Sequence, residues 1–384
     1  MKPSRPVLGV LSLGLVCLSL TRLWHTAPPP LALQSSAPRP AHRADPVSQK
    51  AVVAATASPL SPWVAALREA EAEPDAMKRD TALQAWVDSL SADEIPAVLR
   101  EIRARSGSAS LQLAQVGLVR RWTESDPHAA AGWAEQMPPG KVRQESLSGV
   151  AIVWANFDLQ AASQWACQLP DGLERASNIT NVAYEAARSE PQAALQLAAQ
   201  LPPATTRDEL IRHATRQWAL LDASDASQWA QQLEDAPLRT QVLADIAVIQ
   251  AESDPGAAAT LVLTLIPAGQ GQDDALVGIV QRWSQQDASQ TGAWVELFPE
   301  GALRDAAVDN LLQQWTQQDP SAPVPWLTAL PIGPLRDAAL ETFAREVAPV
   351  DHEAALAWAT TIGESTRRNR SQQAVSNGVQ ESSQ

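Results

Sequence analysis

Apolar residues recur at helical spacing over residues 122–375, and the pattern itself returns about every 32 residues. An acid opens each unit: Asp126, Asp158, Glu190, Asp222, Asp254, Asp287, Asp319 and Asp351. Seven positions after each acid stand Trp133, Trp165, Leu197, Trp229, Leu261, Trp294, Trp326 and Trp358. Seventeen positions on come Arg143, Arg175, Arg207, Arg239, Arg304, Arg336 and Arg368, with Gln272 at the shifted place of the fifth unit. The steps are 32 residues except for one of 33, which marks Ile266 as the extra residue.

The consensus runs DPxAAxxWAxxLPxGxxRxxALxxVAxxWAxx, and each letter has a local reason. The acid suits an N-cap, where a carboxylate accepts from free backbone N–H groups. Proline follows at the first helical position, where its missing donor costs nothing. Small alanines allow close approach of a neighbouring helix. Leu-Pro and Gly are expected to end this first helix, and a second begins near the Arg. Two antiparallel helices with short connections, repeated, predict an all-α solenoid of about eight two-helix units. Residues 62–121 lack the repeat but read as a helical N-terminal cap: Ser61-Pro62 starts one helix, Asp80 to Leu90 falls in another, Ser91 and Glu94 form a capping-box pattern, and Ser108 to Thr123 supplies the last. At the far end the polar stretch Arg367 to Gln373 suits a closing cap, and 376–384 is expected to be a disordered tail.

Four residues before each acid lie Trp122, Trp154, Ala186, Trp218, Gln250, Trp283, Trp315 and Val347. Tryptophan stands at this position and at the one seven after the acid together, or at neither, except where Val347 meets Trp358. Such covariation predicts that the two rings pack on each other across the turn. An aromatic ladder lining a groove is the competing reading.

The N-terminus has a different character. Lys2 and Arg5 precede an apolar run from Val7 to Leu20, the order of an export signal. The run is short for a bilayer span of about 20 residues, and Leu23 and Trp24 would extend it. Residues 1–25 are therefore read as a signal-anchor or a cleaved signal peptide. The residues 26–61 that follow, rich in proline, alanine and serine, cannot bury enough apolar surface to fold and form a semi-extended tether.

Composition narrows the function. The chain of 384 residues has net charge −14, and the first 62 residues carry six Lys or Arg against one acid, which leaves −19 on the remainder. So acidic a body argues against nucleic acid and against lying on anionic lipid. A local basic patch near Arg367, Arg368 and Arg370 is the exception. Fourteen Trp against three Phe and one Tyr point to one packing position copied many times. The five histidines (His25, His42, His128, His213, His352) are scattered without metal-ligand spacing. Cys167 is alone in the folded part, at a position where other units hold Glu135, Gln231 or Glu296, and is expected to face solvent.

The repeat resembles a group of bacterial exported proteins with DPxAAxxWAxxLP units, whose architecture is similar to tetratricopeptide α-solenoids. The likeness covers Trp122 to about Ala374. It implies an interaction scaffold and carries no functional residues across. The tetratricopeptide signature itself is absent.

Candidate chemistry is thin. The acid series could hold cations but reads as N-caps. The Arg series could bind an anion, or pair with acids such as Asp208, Asp305 and Asp337, or cap backbone carbonyls. Gln-Trp pairs (164–165, 217–218, 228–229, 314–315) are similar to triterpene cyclase repeats, but the glycines and acidic cluster those enzymes need are missing. A lytic transglycosylase would need a further domain. His213 shares one helix with Asp208 and Glu209. Asn178-Ile179-Thr180 and Asn369-Arg370-Ser371 match the glycosylation triplet, a pattern common by chance. No catalytic, cofactor-binding or metal-binding residue is expected. The sequence predicts a non-catalytic scaffold in the bacterial cell envelope, anchored through its N-terminal segment or secreted after cleavage, that presents its solenoid to a protein or peptide partner. An enzyme with a site in the groove and a structural envelope protein are the alternatives.

Overall fold

A computed structural model describes residues 62–103 and 109–382, and among these all regular structure is helical. The readings of residues 1–61 as anchor, signal or tether lie outside the described residues. No described helix is long and apolar enough to cross a membrane.

The N-terminal cap consists of α1 (Pro62–Ala72), α2 (Ala76–Ser89), α3 (Ile95–Arg103) and α4 (Ala109–Thr123). The Ser91–Glu94 capping box forms by half: the Glu94 carboxylate accepts from the Ser91 N–H at 2.9 Å, but the Ser91 hydroxyl donates to the same carboxylate. Short and long helices then alternate. The short ones are α5 (Pro127–Glu135), α7 (Leu159–Gln168), α9 (Pro191–Ala198), α12 (Pro255–Leu265), α15 (Val324–Ala329) and α17 (His352–Thr360). The long ones are α6 (Lys141–Ala155), α8 (Leu173–Ala186), α11 (Ala236–Gln250), α14 (Ala302–Gln318), α16 (Pro334–Val347) and α18 (Ser365–Ser382). In α10 (Thr205–Ala230) and α13 (Gln270–Val295) a long and a short helix are continuous through a kink. The kink residues are Asp222 (φ −153°, ψ 96°) and Asp287 (φ −146°, ψ 84°), close to the backbone of the N-cap Asp126 (φ −144°, ψ 84°). The repeat geometry is thus kept where the break is not.

Each long helix packs on the next, from α4 through α6, α8, α10, α11, α13, α14 and α16 to α18, and the short helices lean on the long ones that flank them. The result is an all-α, solenoid-like stack, as the periodicity predicts. Alanine makes the close approach possible. Ala130, Ala162, Ala194, Ala226, Ala258 and Ala355, four after the acids, are fully buried, as are Ala134, Ala166, Ala198, Ala230 and Ala359 one turn later. The larger apolar side chains come from the long helices, with Val150, Val182, Ile246, Ile279 and Leu311 equally buried in matching register.

Two expectations are corrected. Glycine opens the second helix rather than ending the first: Gly140, Gly172, Gly269, Gly301 and Gly333 are its N-cap residues, at φ between 140° and 159°. That backbone region is closed to side chains with a Cβ. The fourth unit manages without it, because Asp235 caps α11 through its own carboxylate to Leu238 N at 2.9 Å. The expected tail from 376 is also helical, since α18 runs to Ser382.

Candidate functional site

The repeated residues serve the scaffold. Six of the eight acids are N-caps: Asp126, Asp158, Asp222, Asp254, Asp287 and Asp351 each accept from the N–H three residues on, at 2.8–2.9 Å. Glu190 makes no side-chain cap bond, its chain being one methylene too long for the same turn. Asp319 instead binds Ser321 N and Oγ in a preceding turn, and Pro323 takes the cap position of α15.

Three residues of the Arg series fold back onto the turn before them. Arg143 donates to Met137 O at 3.0 Å, Arg239 to Leu233 O at 2.5 Å and Arg368 to Ile362 O at 3.0 Å, carbonyls in the turn just past the preceding short helix. Gln272 does the same at Ile266 O, 2.9 Å, which explains why an amide can replace the guanidinium there. Of the sequence alternatives, carbonyl capping therefore holds at these positions, whereas Arg175 (Asp171), Arg207 (Asp208, 2.9 Å) and Arg304 (Glu300, 3.5 Å) pair with acids and Arg143 does both (Glu174, 2.8 Å). Asp305 and Asp337 have other duties. Asp305 pairs with Arg367, while Asp337, buried, receives Gly363 N and Glu364 N at 2.8 and 2.9 Å and so caps α18 from a neighbouring helix.

Four of the five tryptophan pairs that the covariation predicts form, whereas Trp122 and Trp133 of the first unit make no ring contact. Ring centroids stand 5.8 Å apart for Trp154–Trp165, 6.4 Å for Trp218–Trp229, 5.8 Å for Trp283–Trp294 and 5.9 Å for Trp315–Trp326. Where Val347 breaks the sequence rule, Phe343 one turn earlier packs edge-on to Trp358 at 5.5 Å. Trp133 and Trp229 are half-buried against the core rather than standing free in a ladder. Sequence reading missed one further contact. The Trp165 and Trp326 indole N–H groups donate to Glu135 and Glu296 of the preceding unit, both at 2.8 Å. The glutamates lie 30 residues before the rings they serve, a spacing visible in the sequence. Cys167 occupies this register before Leu197, which needs no acceptor, and it is half-buried against the core rather than solvent-facing.

Other candidates dissolve on inspection of the geometry. The basic stretch of α18 is neutralised: Arg367 and Arg370 pair with Glu341 at 3.1 and 2.7 Å. Asn178 is buried and so inaccessible for glycosylation in the folded chain. His213 lies against Tyr184 of α8 at 5.0 Å, and burial together with the Arg216 charge lowers its pKa from the usual imidazole value. No group of three or more His, Cys, Asp or Glu suited to a metal ion occurs among the described residues.

Two surface features are left. One is a cleft of about 390 Å³ between α3, α4 and the α5–α6 turn, lined by Ile102, Gln112, Gln115, Trp133 and Pro139 among others. The other is the solvent face of the long-helix layer. Here the side chains change from unit to unit: Glu145, Ser148 and Ile152 on α6, Ser177, Thr180 and Tyr184 on α8, Glu209, Arg212 and Arg216 on α10.

The fold and this surface define an all-α, solenoid-like helical protein with a continuous face of long helices. No protein-family model, curated protein or solved structure matches the chain.

Proposed function

We propose that this chain is a non-catalytic scaffold of the cell envelope, held by its N-terminal segment, whose long-helix face receives a protein or peptide partner. One observation carries the reading. Most of the residues that repeat (the acids, the Arg series and the Trp pairs) are taken up by caps, carbonyls, nearby acids and ring contacts, whereas the exposed positions of the long helices do not repeat. A face whose composition differs at every step gives an extended partner a unique register, which is the use solenoids make of their surfaces. The likeness of the repeat to bacterial exported proteins supports the location.

The test is position-dependent photo-crosslinking of the full chain in cells. A photoreactive residue at Gln144, Gln241 or Gln313, exposed on long helices, should give a discrete adduct. The same residue at Gln164 or Gln196, exposed on short helices, should not. Equal labelling from both faces, or from neither, overturns the proposal.

A further inference from the structure

On the long-helix face, three close approaches fix how neighbouring helices align. A Cβ at Gly149 of α6 would stand 3.7 Å from Arg120 Cβ of α4, and one at Gly278 of α13 would stand 2.8 Å from Val248 of α11. The His213 ring of α10 lies 5.0 Å from Tyr184 of α8. In every case the residue six before an acid meets the residue 23 after that same acid, or 24 after it in the unit that carries the extra residue. Side chains at the first of these positions therefore line up across the stack. Over α4, α6, α8 and α10 the line reads Arg120, Ile152, Tyr184, Arg216.

The geometry points to this row as the binding site for an extended acidic peptide with apolar side chains between its acidic ends. The inference rests on the scaffold reading and says where on the face the partner lies and what chemistry it brings. Ile152 and Tyr184 are each 37% exposed, apolar surface that no other element covers. Arg120 and Arg216 are both exposed, and no carboxylate among the described residues lies within salt-bridge distance of either. Several other arginines of the long helices are neutralised: Arg212 pairs with Asp245, Arg282 with Glu252, Arg345 with Asp309 and Arg370 with Glu341. Arg120 and Arg216 thus put two guanidiniums without an ion-pair partner on this face of a chain with 43 acids and 29 bases. The Arg216 charge is felt next door, where it disfavours protonation of His213.

The dimensions fit a strand-like ligand. Neighbouring helix axes lie about 8–10 Å apart, so three steps span about 25–30 Å, and an extended chain at about 3.3 Å per residue covers that in eight or nine residues. Carboxylates at its two ends would meet the planar guanidiniums, which bind them through paired N–H donors. The apolar residues between would lie over Ile152 and Tyr184. A shallow groove of about 510 Å³, lined by Arg120, Ile152, Ser148 and Gly149 together with the Lys141–Glu145 ion pair, offers room at one end. Past Arg216 the row continues through Val248, Gln281 and Gln313 without charge, which sets the limit of the site.

The experiment is selection from a random display library of peptides about nine residues long on the immobilised full chain and, in parallel, on the R120E/R216E variant. Enriched peptides should carry Asp or Glu near both ends with aliphatic or aromatic residues between. Their affinity should fall at least about fivefold on the variant, and should weaken as salt shortens the Debye length from about 10 Å to 3 Å. Y184S should weaken binding with little change in that salt dependence. Enriched peptides without acidic ends, or ones that keep their affinity on R120E/R216E, overturn the row and leave the scaffold reading standing. No enrichment over an unrelated control protein overturns both. Because the two arginines are exposed, the variant should keep the parent circular dichroism spectrum. If it does not, R120Q/R216Q replaces it with the same criteria.

Discussion

Trp326 allows the inter-unit joint to be dissected. Its ring stacks on Trp315 at 5.9 Å, its N–H donates to Glu296 at 2.8 Å, and its edge lies against Gly292, where a Cβ would stand 3.0 Å from the indole nitrogen. Truncating a buried Trp costs about 3–5 kcal/mol, and since Trp326 is only half-buried W326A should cost about 3. The ring–ring term is about 0.5–1.5 kcal/mol beyond area. A cycle of W315A, W326A and the double variant should therefore show coupling of that size. Glu296 is exposed, so E296A should cost no more than about 1 kcal/mol, and E296Q, which keeps an acceptor oxygen, still less. Because such stacks unfold by local openings, the assay is amide hydrogen exchange of the full chain. Protection should drop from α13 through α16 and hardly at all in α6 or α8. Additivity of W315A and W326A within about 0.5 kcal/mol would refute ring pairing as the cause of their covariation.

D254A should destabilise α12 by about 1 kcal/mol through loss of its cap, whereas E190A should be nearly silent because Glu190 makes no cap bond; thermal melts of the two variants compare them directly. R239Q should be tolerated and R239A should cost about 1 kcal/mol, since Gln272 already serves the same carbonyl position; a melt in which Gln and Ala are equally harmful contradicts this. The N–H groups of Thr366 and Arg367 hold Glu364 below the ordinary carboxylate value of 4.5, so its contribution to α18 is full above that pH and is lost as pH falls through the lowered value. On acidification α18 should therefore lose exchange protection, corrected for intrinsic rate, before α14 does, and simultaneous loss would count against it.

Much of this protein is written in short-range terms. Asp followed by Pro and small residues specifies a capped helix whatever surrounds it, because the cap closes within three residues. The Trp covariation was likewise readable, since the two positions are eleven residues apart across one turn. The glycines show where local reading stops. Leu-Pro-x-Gly suits the end of one helix as well as the start of the next, and only the observed φ near 150° assigns it to the start. Cys167 was misplaced for a related reason: its surroundings are set by the neighbouring unit, not by its own helix.

The sequence by itself determined the all-α repeat, its period, the caps and the partners within each turn, because those interactions are enforced by residues close in the chain. Only the tertiary structure decided which of its options each Arg takes, which glutamate receives each indole, and how Asp337 caps a helix 26 residues away. The same holds for the row from Arg120 to Arg216. Its members are 32 residues apart and share no local signal. They become one surface because each long helix settles on the next in a fixed register, and that register is set by the small and large side chains meeting between helices.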